Sequence, residues 1–261
     1  MVKRILVFSL MLVFASGLVI GGCSESAPKG QQVAFPDKNL DKCIREALDK
    51  PADEEITTTE LATLTEFSAD AEGISNISGL EYCTNLVHLD LGLNQISDIS
   101  PLANLTNLTH VCFLINRRIS DISPLANLTN LTSLWISGNK INDISPLANL
   151  TKLTDLQISD NQINDISPLA GLTKLTRLEI RTNQISNISP LDNLTELNYL
   201  DLSNNQIDDI SSLVENPGLG EGDTVCLEDN NLDLEEGSDD MENFKILEDR
   251  GVSARRYPLV T

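Results

Sequence analysis

The chain has 261 residues, enough for one large domain or two small ones, with an ordinary hydrophobic share of 41%. Aromatic residues make up only 4%, which argues against a single globular core and for one assembled from many thin, similar layers. With 18 Lys and Arg against 39 Asp and Glu, a formal −21, the chain repels phosphate backbones, so no nucleic acid partner is expected; the acidic surface serves either solubility or a basic partner.

At the N-terminus Lys3 and Arg4 precede an apolar run from Ile5 to Ile20, closed by Gly21 and Gly22. These are the charged, apolar and small-residue regions of a secretory signal, and the run is too short for the ~20 residues of a membrane helix. The exit Ile20-Gly21-Gly22-Cys23 resembles the bacterial lipobox. That resemblance implies removal of residues 1–22, acylation of Cys23 and a membrane anchor through it. The loss takes two positive charges and no acid, leaving 16 basic against 39 acidic side chains, a balance of −23. Residues 23–34 then read as a flexible polar tether.

From Asp37, residues Leu40, Cys43, Ile44, Ala47 and Leu48 follow helical spacing, which predicts an amphipathic helix ending before Pro51. Thr57 and Glu60 have the spacing of a capping box for a second short helix. Residues 35–63 are thus expected to form a helical N-terminal cap.

The pattern L-x-x-L-x-L-x-x-N-x-I then begins at Leu64, Leu86, Leu108, Leu131, Leu153, Leu175 and Leu197. Every spacing is 22 except one of 23, caused by an extra residue at Arg117-Arg118. Within each copy the alternating L-x-L predicts a short strand with its leucines inward. A column follows at Asn94, Asn116, Asn139, Asn161, Asn183, Asn205 and Asn230, whose amides are suited to the backbone groups freed where the chain leaves the strand. In the segment Asp98–Leu105, Ser100 is expected to cap a short 3₁₀ turn with Pro101 as its first residue. Residues 64–216 hold the seven regular copies, and 217–261 a looser eighth copy (Val225, Leu227, Asn230, Leu232) and a cap helix started by Ser238, carrying Met241, Phe244 and Leu247, and closed at Gly251.

The stretches LTNLTHVCFLINRRISDISPLANLT and LTKLTDLQISDNQINDISPLAGLT resemble the 22-residue repeats of the internalin class of bacterial leucine-rich-repeat proteins. The resemblance spans about Phe35 to Tyr257. It implies an α/β fold: a right-handed leucine-rich-repeat solenoid, or horseshoe, with short parallel strands on the concave face and 3₁₀ turns on the convex one. Members of this class often recognise surface proteins of other cells. No immunoglobulin-like region or wall-sorting motif follows the repeats, which counts against host-cell invasion and leaves adhesion or envelope assembly open.

The repeat count assigns three outward rows to the concave face, at +2, +4 and +6 from each anchoring Leu. Seven coils display about 21 side chains there, comparable with the roughly 20–30 residues a standard interface uses per partner. The +2 row runs Glu66, His88, His110, Ser133, Asp155, Arg177, Tyr199; the +4 row runs Ser68, Asp90, Cys112, Trp135, Gln157, Glu179, Asp201. At +6 stand Asp70, Gly92, Leu114, Ser137, Ser159, Arg181 and Ser203. Exposed aromatic and Arg residues lead interface hot spots, so the expected binding set is His110, Leu114, Trp135, Arg177, Arg181 and Tyr199. The ligand is expected to be a protein, or alternatively a glycan stacked on Trp135 and Tyr199. No enzyme activity and no cofactor are implied, and the chain is expected to act as a monomer.

Three places carry residue types suited to sharper chemistry. His88, His110, Cys112 and Asp90 bear metal-ligating groups, but strand side chains point parallel rather than converging. The same Cys and His lack the closed pocket a nucleophile needs. Asp229-x-Asn231-x-Asp233 begins like a calcium loop, but Leu234 stands where the sharp turn needs Gly. Cys43 and Cys83 both fall in the N-terminal cap, where a disulfide between them is possible; Cys112 and Cys226 lie about five coils apart and cannot bridge.

Overall fold

A computed structural model describes residues 30–256. The signal segment and Cys23 lie outside the described residues, as do residues 257–261.

The described chain opens with a cap. Strand β1 (Gln32–Val33) pairs antiparallel with β2 (Ile56–Thr57), on either side of helix α1 (Lys38–Ala47). The last residues of the expected tether are therefore built into the fold, because Val33 is buried in the cap core. Asp37 starts α1 by accepting from the backbone N–H groups of Asn39 and Leu40, and its other oxygen accepts from Ser75 and Asn76, tying the helix to the first coil. Leu40, Cys43 and Ile44 are buried as the spacing requires, while Ala47 is exposed. Helix α2 (Thr58–Leu61) carries the expected capping box: Glu60 accepts from the Thr57 N–H at 2.8 Å, and the Thr57 hydroxyl accepts from the Glu60 N–H.

The body is a parallel nine-stranded sheet. Its strands are β3 (Glu66–Ser68), β4 (His88–Asp90), β5 (His110–Cys112), β6 (Ser133–Trp135), β7 (Asp155–Gln157), β8 (Arg177–Glu179) and β9 (Tyr199–Asp201), one per regular coil. Helix α3 (Ser211–Glu215), strand β10 (Thr224–Cys226), helix α4 (Asp239–Asp249) and strand β11 (Ser253–Arg255) complete the far end. The spatial order follows the sequence order, so each coil pairs only with its neighbours. Strand β11 has no counterpart in the repeat pattern; it extends the sheet past the eighth copy by pairing with β10. Ser238 caps α4 through the Met241 N–H, and Gly251 at φ +90 ends it, as the sequence indicates.

Between strands the chain returns through 3₁₀ turns at Leu80–Tyr82, Ser100–Leu102, Ser123–Leu125, Ser145–Leu147, Ser167–Leu169 and Ser189–Leu191. The expected capping role of Ser100 is corrected here. Ser100 is itself the first residue of its turn, and the Asp98 carboxylate two residues earlier accepts its N–H at 2.8 Å. Asp121, Asp143, Asp165, Asn187 and Asp209 do the same in their coils, because an Asx side chain reaches the N–H two residues on. These hydrogen bonds from the serine backbone hold Asp121, Asp143 and Asp165 below the usual carboxylate range.

The core is one continuous column of Leu and Ile. Leu134, Leu156, Leu178 and Leu200 from the strands and Leu102, Leu125, Leu147, Leu169 and Leu191 from the turns are fully buried. The asparagine column is the polar spine beside it. In a typical coil the Asn183 amide donates to the carbonyls of Ile158 and Ile180, and its oxygen accepts from the Ile163 N–H at 3.0 Å. Each amide thus satisfies at least three backbone groups that would otherwise be buried unpaired, at about 1–3 kcal/mol each. Asn139 is the exception. Its Nδ2 donates to Phe113 and Ile136, but its Oδ1 is buried without a hydrogen-bond partner. The coil before it carries the extra residue at Arg117-Arg118, and Arg117 takes a left-handed φ of +63 there. The inserted residue interrupts the turn from which Ile119 would have donated to Asn139.

Candidate functional site

The concave rows fall where the 22-residue count assigns them, with one refinement. Ser133, Ser159 and Asp201 are buried although they occupy outward positions, since short side chains are overtopped by their neighbours on adjacent strands. The displayed surface is therefore narrower than the full set of 21 positions.

The six expected binding residues divide into separate groups. His110 and Trp135 stand together on β5 and β6. Arg177 and Tyr199 pair on β8 and β9, with the guanidinium 4.1 Å above the phenol ring. Arg177 is also held by Glu179 two residues on, its Nε donating at 2.8 Å. Arg181 is exposed beyond the end of β8. Leu114 is half-buried just past β5, and the following Ile115 is the more exposed, at 41%. Strand β7, bearing Asp155 and Gln157, separates the first pair from the second.

The first pair belongs to a hollow of about 280 Å³ across β3 to β6. Its floor is Phe67, Leu89 and Val111, inward residues that remain a few per cent exposed, whereas Leu134, Leu156 and Leu178 beside them are sealed. The opening exists because the +4 row is short here: Ser68, Asp90 and Cys112 do not reach across to cover the strand centres. Trp135, the chain's single tryptophan, ends this run of short residues and forms a wall, 37% exposed. Its indole N–H donates to Asp155 Oδ2 on β7 at 3.0 Å, so the ring is fixed rather than free to rotate.

A pair of imidazoles also lines the hollow. The rings of His88 and His110 lie 4.5 Å apart between centroids and are tilted by 47°. Glu66 Oε1 is 3.5 Å from His88 Nδ1, and the Thr109 hydroxyl is 2.8 Å from His110 Nδ1. Burial, and then the neighbouring His88, lower the pKa of His110, which keeps its ring neutral near pH 7. At the far rim Asp70 and Asp90 stand on either side of Gly92. A side chain at Gly92 would meet Asp70 Oδ1 at 2.8 Å, so glycine is what leaves the carboxylate its place. Burial and then the charge of Asp90 raise the pKa of Asp70.

This geometry decides the reactive readings of the same residues. The Cys112 thiol is pushed up to about 12, first by burial and also by its hydrogen bond to Asp90 and the charges of Asp90 and Asp70, so it is a poor nucleophile. Among the described residues, no group of three His, Cys, Asp or Glu converges to hold a metal. The four described cysteines are free thiols; Cys43 in helix α1 and Cys83 just after the first 3₁₀ turn are both buried but are not joined. Glu66, His88, Asp90 and Cys112 line the hollow and were absent from the expected binding set. Their adjacency in two rows was visible in the repeat; that the row is short enough to expose the floor was not.

Comparison with known proteins agrees with this architecture. The family described as "Leucine Rich repeats (2 copies)" matches residues 84–127, 106–149, 151–193 and 173–215. The crystal structure of internalin C2 from Listeria monocytogenes superposes with a TM-score of 0.73 at 37% identity, covering 80% of this chain and 92% of that one. The chain belongs to the internalin class of bacterial leucine-rich-repeat proteins. A second internalin of that species (inlF) gives a TM-score of 0.63 at 36% identity over 77% of this chain and 65% of the other. A leucine-rich-repeat protein of Leptospira interrogans, 20% identical, shares the fold at a TM-score of 0.64 over 76% of this chain and half of its own. Among curated proteins, Internalin H of Listeria monocytogenes is 37% identical over 98 residues, and the match spans only 18% of its length. Proteins built on this internalin-like fold generally mediate protein–protein interaction.

Proposed function

We propose that this internalin-class chain is an extracytoplasmic protein-binding module, secreted through residues 1–22, held at the cell surface by a lipid on Cys23, and acting as a monomer. Its ligand is a protein gripped by the concave sheet, with His110, Leu114, Trp135, Arg177, Arg181 and Tyr199 as the contact set. The observation that carries this reading is the Trp135 indole, exposed in mid-sheet beside an open hollow and held by Asp155. A large apolar ring fixed in place loses little entropy when a partner covers it, which is the condition for a hot spot. The parallel ladder of strands beneath it supports preorganisation of the whole face.

A glycan ligand receives less support. Stacking a sugar needs a free ring face, and one face of Tyr199 already carries the Arg177 guanidinium. The deciding experiment is capture from envelope extracts by the full chain and by a Trp135→Ala/Arg177→Ala/Arg181→Ala variant. A protein retained by the former and lost by the latter supports the reading; equal capture by both removes the patch. The anchor is tested apart from this, by mass spectrometry of the native N-terminus, where an unmodified Cys23 would end that part of the proposal.

A further inference from the structure

The geometry points to a more specific role for the hollow on β3 to β6: a socket for one cationic side chain, arginine or lysine, projecting from the protein partner. The inference rests on the reading of the concave face as a protein-binding surface and names the chemistry it selects.

Size is the first argument. About 280 Å³ lies just below the roughly 300–1,000 Å³ range of small-molecule sites, so the hollow suits one long side chain better than a cofactor. Polarity is the second. The floor of Phe67, Leu89 and Val111 is apolar and partly uncovered, which suits the aliphatic stem of Arg or Lys. Charge is the third. Glu66 and Asp90 line the hollow and Asp70 stands beside Asp90, while among the described residues no Lys or Arg lines it. An incoming cation therefore meets carboxylates at the rim and the fixed indole of Trp135 on one wall.

The same features disfavour the alternatives. An anionic group would enter among carboxylates with no Lys or Arg among the described lining residues to meet it. A purely apolar side chain would strip water from the Glu66 and Asp90 carboxylates without bringing a countercharge, which costs free energy. The surplus of acids over bases along the whole chain adds long-range attraction for a basic partner.

The test uses the full chain and the emission of Trp135, the only tryptophan, as the reporter. The probes are acetyl-Gly-Arg-Gly-amide and its citrulline twin, which keeps the shape of the arginine and removes its charge. The arginine peptide is expected to shift the emission saturably, with the citrulline peptide about tenfold weaker. A Glu66→Gln/Asp90→Asn variant, checked for folding by circular dichroism, is expected to bind the arginine peptide about tenfold more weakly. An Asp208→Asn/Asp209→Asn variant, with the same charge change at the far end, is expected to match the wild type within about twofold. Equal binding of the two peptides, no saturable shift, or equal losses in the two variants would each overturn the socket. Should the arginine peptide fail while envelope capture still depends on Trp135, Arg177 and Arg181, the concave-face reading stands and only the cationic socket falls. Loss of both would remove the face itself.

Discussion

The coils around β7 to β9 and those around β4 to β6 are built on one plan, and they differ in how strictly they keep it. In the former, the positions before and after the strand's central Leu vary while everything facing the core is Leu or Ile, fully buried. In the latter, Val111 and Phe113 replace the usual Leu and Ile, Leu93 and Ile115 are exposed, one residue is inserted, and Asn139 loses a hydrogen bond. These departures are neighbours in space, and the hollow with its tryptophan lies among them. A solenoid permits this because each coil answers only to the next, so one stretch can drift without unfolding the rest. Irregularity is thus local, and the candidate site is where it gathers.

Truncation of the regular core should give the largest effect. Leu156→Ala removes a fully buried side chain between two equally sealed neighbours, with an expected loss of about 2–5 kcal/mol in chemical denaturation. The contrast itself is tested by the asparagines. Asn183→Ala strands four backbone partners and should cost about 3 kcal/mol, whereas Asn139→Ala strands three, gives up no accepted bond and should cost about 1 kcal/mol less. Equal losses would mean that the inserted residue does not weaken the spine. Deleting Arg117 restores the N-x-I spacing, and the variant should be about 1 kcal/mol more stable as Ile119 regains its acceptor.

The cap offers a test of another kind. Glu60 is held down to about 2 by its hydrogen bonds to Lys50 and Thr57. A carboxylate with a depressed folded pKa stabilises above its unfolded value, 4.5, and that contribution is lost as pH falls through about 2. Urea midpoints of the wild type should therefore decline over that window more steeply than those of Glu60→Gln. Parallel curves would show that the capping box does not contribute to acid stability.

Most of the fold was legible because a repeat states each rule seven times. The inward leucines, the asparagine spine and the capping box at Thr57 all follow from spacing alone. What escaped had no repetition to announce it. Strand β11 is a single Ser-Ala-Arg segment without alternation, held only by pairing with β10. Ser100 reads as the cap from sequence because Ser and Asp are both good cap residues, and only the folded backbone, with Ser100 N–H on Asp98 Oδ1, decides for Asp98. For the site, the count placed Trp135 and His110 outward, yet it could not show that Ser68, Asp90 and Cys112 leave a floor uncovered. Whether a row of side chains closes over a strand depends on the reach of each one, which spacing does not encode.

The smallest expected effect bears on why the irregular coils persist. The seventh position after each anchoring Leu takes a left-handed backbone, and Gly138, Asp160 and Asn204 fill it with residues that tolerate it. Leu93 and Ile115 occupy the same place at φ +53 and +54 and are largely exposed, so their strain is not offset by burial. Ile115→Asn should accordingly raise stability, by about 0.5–1 kcal/mol, and Asn204→Ile should lower it by a similar amount. If Ile115→Asn gains stability but weakens capture of the partner, then the strained side chain serves the interface rather than the fold, as strain at functional positions generally does. If it gains stability and leaves capture unchanged, the concave contact ends at Leu114 and the edge beyond it is outside the site.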